Sequence, residues 1–231
     1  MSAKHLGDRR GGPPALTLVT PERRPLELFG TMASDAVGRL LAERGIAFQG
    51  ARRPVGVGDG SLLLSPEGRV PFHRLVALPR LRGAPFPGVP QDADGFVETD
   101  EHGRVRGLAD VYAAGDITAF PVKQGGIAAQ QADAVAEAIA ARAGADLIPR
   151  PFRPVLRGLL LTGAEHAYLR RDLAGGTDDL PGFDVEPLWW PAGKIVGRYL
   201  APFLAARVGA AAATTPPPGI EAVPVEVDLS P

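Results

Sequence analysis

The sequence predicts an α/β fold. Three observations carry that expectation. A strand, helix and strand follow one another with short connections between residues 15 and 50; an apolar segment, Val111 to Ala114, ends in Gly115 and Asp116; and a long helix rich in small residues runs from about Ile127 to Arg142.

Residues 1–14 read as a disordered leader. ALTLVTPE then supplies a strand, with Leu16, Leu18 and Val19 closed by the turn-forming Pro21. Ser34 is placed as the cap of a helix whose Val37, Leu40 and Leu41 share one face. Gly45 stands where a left-handed residue ends such a helix, Ile46 follows as its hydrophobic contact, and IAFQG forms the next strand. Between residues 51 and 78, RRPVGVG, SLLLS and RVPFHRLVALP predict short antiparallel strands, the first hairpin closed by Asp59-Gly60. The Pro- and Gly-rich stretch LRGAPFPGVPQDADG marks a crossing between domains.

A second unit opens with FVETD, the turn EHGR and VRGLADVYAAGD, which carries the buried strand Val111 to Ala114. The loop TAFPVKQGG leads into the long helix. There Ala128, Ala132, Val135 and Ile139 recur on one face able to lie close against a sheet, and Gly144 ends the helix. Beyond come PFRP, a strand LRGLLLTG, the segment AEHAYLRR, a polar loop and PLWWPAGKIVGRYLAPFLAARV. The remaining tail lacks periodicity and reads as disordered.

Composition narrows the function. With 29 glycines and 24 prolines, nearly a quarter of the 231 residues favour turns, against roughly 12% in an average globular protein, so much of the chain is loop. A formal charge of -1 leaves no field to attract a polyanion, which argues against nucleic acid as a partner. There is no cysteine, hence no disulfide scaffold, thiol nucleophile or iron-sulfur ligation from this chain. Four histidines, at 5, 73, 102 and 166, are far apart and carry no metal-binding spacing. No apolar run reaches the 20 or so residues that a membrane span requires. The expected location is cytoplasmic.

Two glycine-rich stretches could meet a ligand. Gly56-Val57-Gly58-Asp59-Gly60 is followed by a strand where a phosphate loop needs a helix, so it reads as a hairpin turn. The stretch VYAAGDITAFPVKQGGIA is different. It brings Gly115 and Asp116 to the carboxyl end of a strand, where α/β sheets bind ligands, and Gly125-Gly126 open a helix whose free N–H groups can receive a carbonyl or a developing anion. An ordinary strand, loop and helix with a capping aspartate accounts for the same residues.

VYAAGD followed by PVKQGGIAAQQADAVAEAIAA resembles the second flavin-binding motif of the two-dinucleotide-domain flavoproteins, which include type II NADH dehydrogenases, sulfide:quinone reductases and disulfide reductases. LVTPERRPLELFG and LLAERGIAF resemble the later half of their NAD(P)H domain, and VALPRLRGAPFPGVPQDADGFVETDEHGRV the return of the chain to the FAD domain. The likeness extends over residues 15–205, and WWPAGKIVGRYLAPFL is most similar to the sulfide:quinone reductase and type II dehydrogenase side. It implies a Rossmann-like FAD/NAD(P)-binding flavoprotein fold. By the same resemblance, residues 15–83 are the C-terminal half of an NAD(P)H domain, 84–165 the C-terminal part of an FAD domain, 166–210 an extension on the core or at a membrane surface, and 211–231 a tail.

What the resemblance implies for the site can be stated by residue. Asp116 binds the ribityl chain of FAD and Gly115 lets the backbone pass close to it. Amides near Ile127 and Ala128 face the pyrimidine carbonyl of the flavin ring. Lys123 tunes the flavin by its charge and Gln124 orients a quinone or other acceptor, although read alone Lys123 is equally a solvent-facing loop lysine. The implied activity is hydride transfer from NAD(P)H to flavin, then electron transfer to a quinone or small acceptor.

The pattern is incomplete, because the GxGxxG loops for FAD and for NAD(P)H are absent from these 231 residues. The expectation is therefore an incomplete fold lacking the N-terminal glycine-loop units: a C-terminal portion of a longer enzyme, one half completed by a chain carrying those loops, or a repacked relict with a noncatalytic structural or regulatory role. The missing cysteine departs from sulfide:quinone reductases, and Glu165-His166 lack the domain that surrounds the catalytic pair of disulfide reductases. Trp189-Trp190, with Ile195, Tyr199, Leu200, Phe203 and Leu204 on one helical side and Lys194, Arg198 and Arg207 nearby, suggest either contact with the inner face of a membrane or packing on the protein itself.

Overall fold

The computed structural model describes residues 14–163, 166–175, 181–207 and 218–223. The leader expected before Pro14, Glu165 and most of the expected C-terminal tail lie outside them. The chain divides into two units, one of Met1–Pro79 with Leu161–His166 and one of Arg80–Leu160 with Ala167–Pro231.

In the first unit, β1 (Leu16–Val19) and β2 (Ile46–Gln49) pair in parallel, Leu16 opposite Ile46 and Val19 opposite Gln49. Helix α1 (Thr31–Glu43) connects them and buries Ala33, Ser34, Ala36 and Val37. Gly45 takes the predicted left-handed conformation, φ 65°, and its N–H donates to the Ala42 carbonyl at 3.0 Å. Ser34 is not the cap. The helix starts four residues earlier than a Ser34 cap would have it, after Gly30, whose φ of 91° and ψ of 174° belong to a region open essentially to glycine alone. That turn already sets the entry angle, so Ser34 lies inside the helix, 1% exposed.

β3 (Arg53–Gly58), β4 (Ser61–Ser65) and β5 (Arg69–Pro71) form an antiparallel meander. Asp59 and Gly60 have φ of 49° and 66°, the two positive values that a tight hairpin turn needs. The glycine-rich stretch is thus the hairpin its sequence predicted. The third strand is shorter than expected. Pro71, which has no N–H to donate, ends it, and Leu75, Val76 and Leu78 follow outside any strand and exposed.

The second unit is held by turns before helix α2 (Gly125–Arg142) begins. Asp92 Oδ1 accepts from the N–H groups of Asp94 and Phe96, and Asp100 Oδ1 from those of His102 and Arg104. Val97 bridges to Thr118 in parallel, Thr99 to Val105 and Arg104 to Tyr112 in antiparallel fashion. The predicted buried strand at Val111 to Ala114 is therefore only an extended segment with one bridge, and Val111 is 37% exposed. A strand is defined by its ladder, and here pairing is limited to the Arg104 bridge at Tyr112, flanked by the bonds from Val105 N–H to the Val111 carbonyl and from Ala113 N–H to the Gly103 carbonyl.

Helix α2 also turns differently from the apolar pattern. It buries Gly126, Ile127, Gln131, Ala134 and Glu137, whereas Ile139 of the predicted stripe is 47% exposed. Two polar side chains displace the stripe because each finds hydrogen-bond partners within the unit. Gly103, with φ of 77°, lies so close to the helix that a Cβ there would stand 2.2 Å from Val135 Cγ2.

The second unit also holds all but the last residue of β6 (Val155–Leu161) and all but the first of β7 (His166–Asp172), which form one sheet with β8 (Phe183–Asp184), then β9 (Trp189–Trp190) paired in parallel with β10 (Glu221–Ala222), and helix α3 (Leu200–Arg207). Tyr168, Leu188, Trp189 and Val196 form its core. Trp189 is 0% exposed, meets Tyr168 edge to face at 5.1 Å, and donates from Nε1 to the Gly193 carbonyl at 2.8 Å. It is a core residue rather than an interfacial anchor. The single helical side expected across Ile195 to Leu204 is absent, because α3 starts only at Leu200; Pro202 then sits in the first turn, where its missing N–H costs nothing. Among the described residues no helix is long and apolar enough to cross a membrane.

Candidate functional site

The turn Gly115–Ile117 and the start of α2 come together in the second unit. Gly115 has φ of 83°, and its N–H donates to Gln131 Oε1 at 2.7 Å. A Cβ at Gly115 would meet Ala128 Cβ at 3.5 Å, so turn and helix are in van der Waals range. Thr118 is 1% exposed; its hydroxyl donates to the Gly115 carbonyl at 2.9 Å and accepts from Gln131 Nε2 at 3.1 Å. Asp116, between them, is exposed, and its carboxylate has no hydrogen-bond or ion-pair partner among the described residues.

Lys123 is not a free loop lysine. Its ammonium donates to the Thr118 carbonyl and stands over the Phe96 ring, 3.9 Å from the centroid. Burial pushes its pKa below the ordinary lysine value, while the negative charges of Asp116 and Asp92 act in the opposite sense. Gln124 is the residue that precedes α2. Its Nε2 donates to the Arg157 carbonyl at 2.6 Å, and its Oε1 is buried with no partner among the described residues. Ala128 N–H makes the first bond of the helix, to the Gln124 carbonyl at 2.9 Å, so the amides free of the helical ladder are those of Gly125, Gly126 and Ile127. Of the two amides expected to meet a ligand, that of Ile127, a buried residue, lies outside the helical ladder and that of Ala128 is used.

Reading the sequence alone missed three glutamine contacts. Gln131 joins α2 to the Gly115 turn. Gln130 accepts from the Val155 N–H and donates to the Val155 carbonyl, both at 2.9 Å, and so ties the helix to β6 together with Gln124. The pair QQ in an alanine-rich helix was the available signal, since a glutamine facing the core demands partners.

Further along α2, Glu137 is 2% exposed at its side chain and gathers Arg150, Arg198 and Tyr199. Arg150 contributes its backbone N–H at 2.7 Å and its guanidinium, and Tyr199 its hydroxyl at 2.9 Å. Burial alone would raise the Glu137 pKa, but these donors outweigh it and hold the carboxyl down to about 2. Asp133, one turn earlier, accepts from the Arg198 N–H at 2.8 Å, yet burial dominates and raises its pKa. This cluster anchors α2 and faces no part of the Gly115 turn in the contacts described. The described residues hold no group of three or more potential metal ligands.

No family model matches this chain, and no curated protein matches it. Solved structures do. The sulfide:quinone oxidoreductase of the hyperthermophilic bacterium Aquifex aeolicus matches with a TM-score of 0.65 and 17% identity, covering 75% of this chain and 46% of that one. A ferredoxin reductase from Rhodopseudomonas palustris matches at 0.52 and 18% identity, covering 75% and 45%. A NAD-dependent persulfide reductase from A. fulgidus matches at 0.50 and 15%, covering 66% and 30%. At such identities the likeness is one of fold: the chain has the FAD/NAD(P)-binding flavoprotein fold in incomplete form and spans less than half the length of each of these proteins.

Proposed function

We propose that this chain is the flavin-contacting part of an FAD-dependent NAD(P)H oxidoreductase that passes electrons from nicotinamide through flavin to a quinone or small acceptor. It would act as the C-terminal part of a longer enzyme or beside a chain that carries the glycine loops. The observation that supports this most is that the glycine turn carrying an unengaged Asp116 packs on α2 at Ala128 and Gln131, within the first two turns of a helix whose Gly125, Gly126 and Ile127 amides lie outside the helical ladder.

The residues present fit a flavin. Asp116 offers carboxylate oxygens with no protein donor on them among the described residues, as ribityl hydroxyls require, and Gly115 has no side chain to obstruct the approach. At the start of α2, where Gly125 is exposed and Gly126 and Ile127 are buried, the N–H groups outside the helical ladder and the positive end of the helix dipole suit a pyrimidine carbonyl and favour negative charge near it. Lys123 adds a positive charge whose place is set by the Thr118 carbonyl and Phe96. Gln124 uses one of its two Nε2 hydrogens on the Arg157 carbonyl, which leaves a second N–H that can donate to an acceptor carbonyl and an Oε1 that is buried with no partner among the described residues. Bound flavin would supply the hydride and electron chemistry.

Calorimetric titration of the chain with FAD, riboflavin and ADP tests the reading. These residues address the ribityl and ring half of the cofactor, and the sequence has no GxGxxG loop for its pyrophosphate. FAD should therefore bind weakly, above the micromolar range, with riboflavin within about threefold of it, and ADP should not bind. Asp116→Ala should weaken flavin binding by about 10- to 150-fold, the value of a hydrogen bond from a hydroxyl to a carboxylate, roughly 1.5–3 kcal/mol. Unchanged affinity in that variant would remove Asp116 from the site. A folded chain that takes up no flavin even at millimolar concentration would favour the noncatalytic role.

A further inference from the structure

We infer that Gln131 and Lys123 are positioning residues that act through Thr118, holding the Gly115 turn in the shape that presents the Asp116 carboxylate to a polyhydroxylated ligand chain. The inference rests on the cofactor reading above for the ligand, and on geometry for the clamp.

The Asp116 carboxylate has no partner among the described residues, so its position is inherited from the backbone beneath it. That backbone contains a left-handed glycine, Gly115, the most permissive residue for a turn to rely on. Rigidity must therefore come from neighbours, and the neighbours converge on Thr118. Gln131 spans the turn with both ends of its amide, accepting from the Gly115 N–H and donating to the Thr118 hydroxyl. The Thr118 hydroxyl and N–H both donate to the Gly115 carbonyl, at 2.9 and 3.0 Å. Lys123 holds the Thr118 carbonyl from the other side.

Both clamps are themselves fixed. Gln131 is 6% exposed on α2. Lys123 rests on Phe96, whose N–H is held by Asp92 Oδ1 at 2.8 Å and whose neighbour Val97 pairs with Ile117 and Ala119 on either side of Thr118. A buried glutamine in an alanine-rich helix is costly unless bonded at both ends, and here both ends are used on one turn. This assigns Lys123 a mechanical role in addition to its charge. An arginine could keep both the hydrogen bond and the cation over the ring, whereas a methionine keeps only an apolar contact with the ring.

Residue-resolved amide exchange on the full chain, with riboflavin titrations beside it, tests the clamp. Gln131→Met should speed exchange of the Gly115 amide by at least about tenfold, the loss of one hydrogen bond. Lys123→Met, which releases the Thr118 carbonyl, should loosen the turn and so speed exchange of the Thr118 amide, whose own bond is to the Gly115 carbonyl, and Lys123→Arg should restore it. The α2 amides of Ala134 and Val135 should keep their rates in all variants. The double variant should lose less riboflavin affinity than the sum of the single losses, because both act through one residue. Unchanged Gly115 exchange in Gln131→Met, or acceleration spread evenly over α2, would overturn the clamp. Faster Gly115 exchange with unaltered riboflavin affinity would overturn the positioning role. Failure of the unsubstituted chain to bind riboflavin would instead overturn the cofactor reading and the ligand clause with it, while the exchange pattern still decides the clamp.

Discussion

An alanine at position 83 should destabilise the second unit by roughly 3–5 kcal/mol, among the largest effects a single methyl group can have. A Cβ on Gly83 would stand 1.6 Å from the Gly95 carbonyl oxygen and 2.9 Å from the Phe96 nitrogen, so backbone, not a flexible side chain, would have to move. It is not free to do so. Gly83 N–H donates to the Asp94 carbonyl at 2.9 Å, and Gln91 spans the loop, accepting from the Phe86 N–H at 2.9 Å and donating to the Ala84 carbonyl at 2.7 Å. Phe96, which carries the Lys123 ammonium, is next in the chain, so the displacement should reach the candidate site. Gly88→Ala is the comparison: its φ of 81° is left-handed, as that of Gly83 is not, but nothing lies within 4 Å of the added Cβ. It should cost only about 1–2 kcal/mol from backbone strain. Urea unfolding of the two variants separates the effects, and equal losses would mean that the close approach of Gly83 to Gly95 does not exist in solution.

Glu137→Gln should remove about 2–4 kcal/mol of stability at pH 7. The carboxyl titrates near 4.5 in an unfolded chain and near 2 in the folded one, a difference equivalent to roughly 3 kcal/mol. The depressed value fixes the sign. The contribution is present above pH 4.5 and fades as pH falls toward 2, so unfolding free energy plotted against pH should be flatter in the variant across that window. Asp133 works in the opposite direction, since burial raises its pKa and protonation on acidification relieves a cost. The comparison must therefore be made as a difference between wild type and variant. Parallel pH profiles would show that Glu137 is not held by Arg150, Arg198 and Tyr199 as described.

Local turn chemistry was legible in the sequence, and long-range partnership was not. Gly45 after α1 and the Asp59-Gly60 hairpin follow from backbone conformations that few residues adopt, so a few letters suffice to predict them. The buried face of α2 was misplaced because apolar spacing cannot weigh Gln131 and Glu137. Their partners lie 13 to 62 positions away, at Thr118, Arg150, Arg198 and Tyr199. Trp189 was ambiguous for a related reason: an aromatic pair suits a membrane interface and a core equally well until Tyr168 is seen against it. The segment at Val111 had the composition of a buried strand, but pairing depends on neighbours that its own residues do not specify. In the candidate site, Gly115 and Asp116 were visible as residues at the end of an apolar run, whereas the use of Gln124 on Arg157 and of the Ala128 amide within the helix required coordinates.

The central claim is that the Gly115–Asp116 turn and the N-terminal end of α2 together face a flavin. Amide-resolved NMR titration of the chain with riboflavin tests it most directly. The account predicts saturable shifts concentrated at Gly115, Asp116, Gly125, Gly126 and Ile127, following one binding curve and abolished together by Asp116→Ala. Shifts confined to the hairpin at Gly56 to Gly60, or saturable shifts that survive Asp116→Ala unchanged, would contradict it.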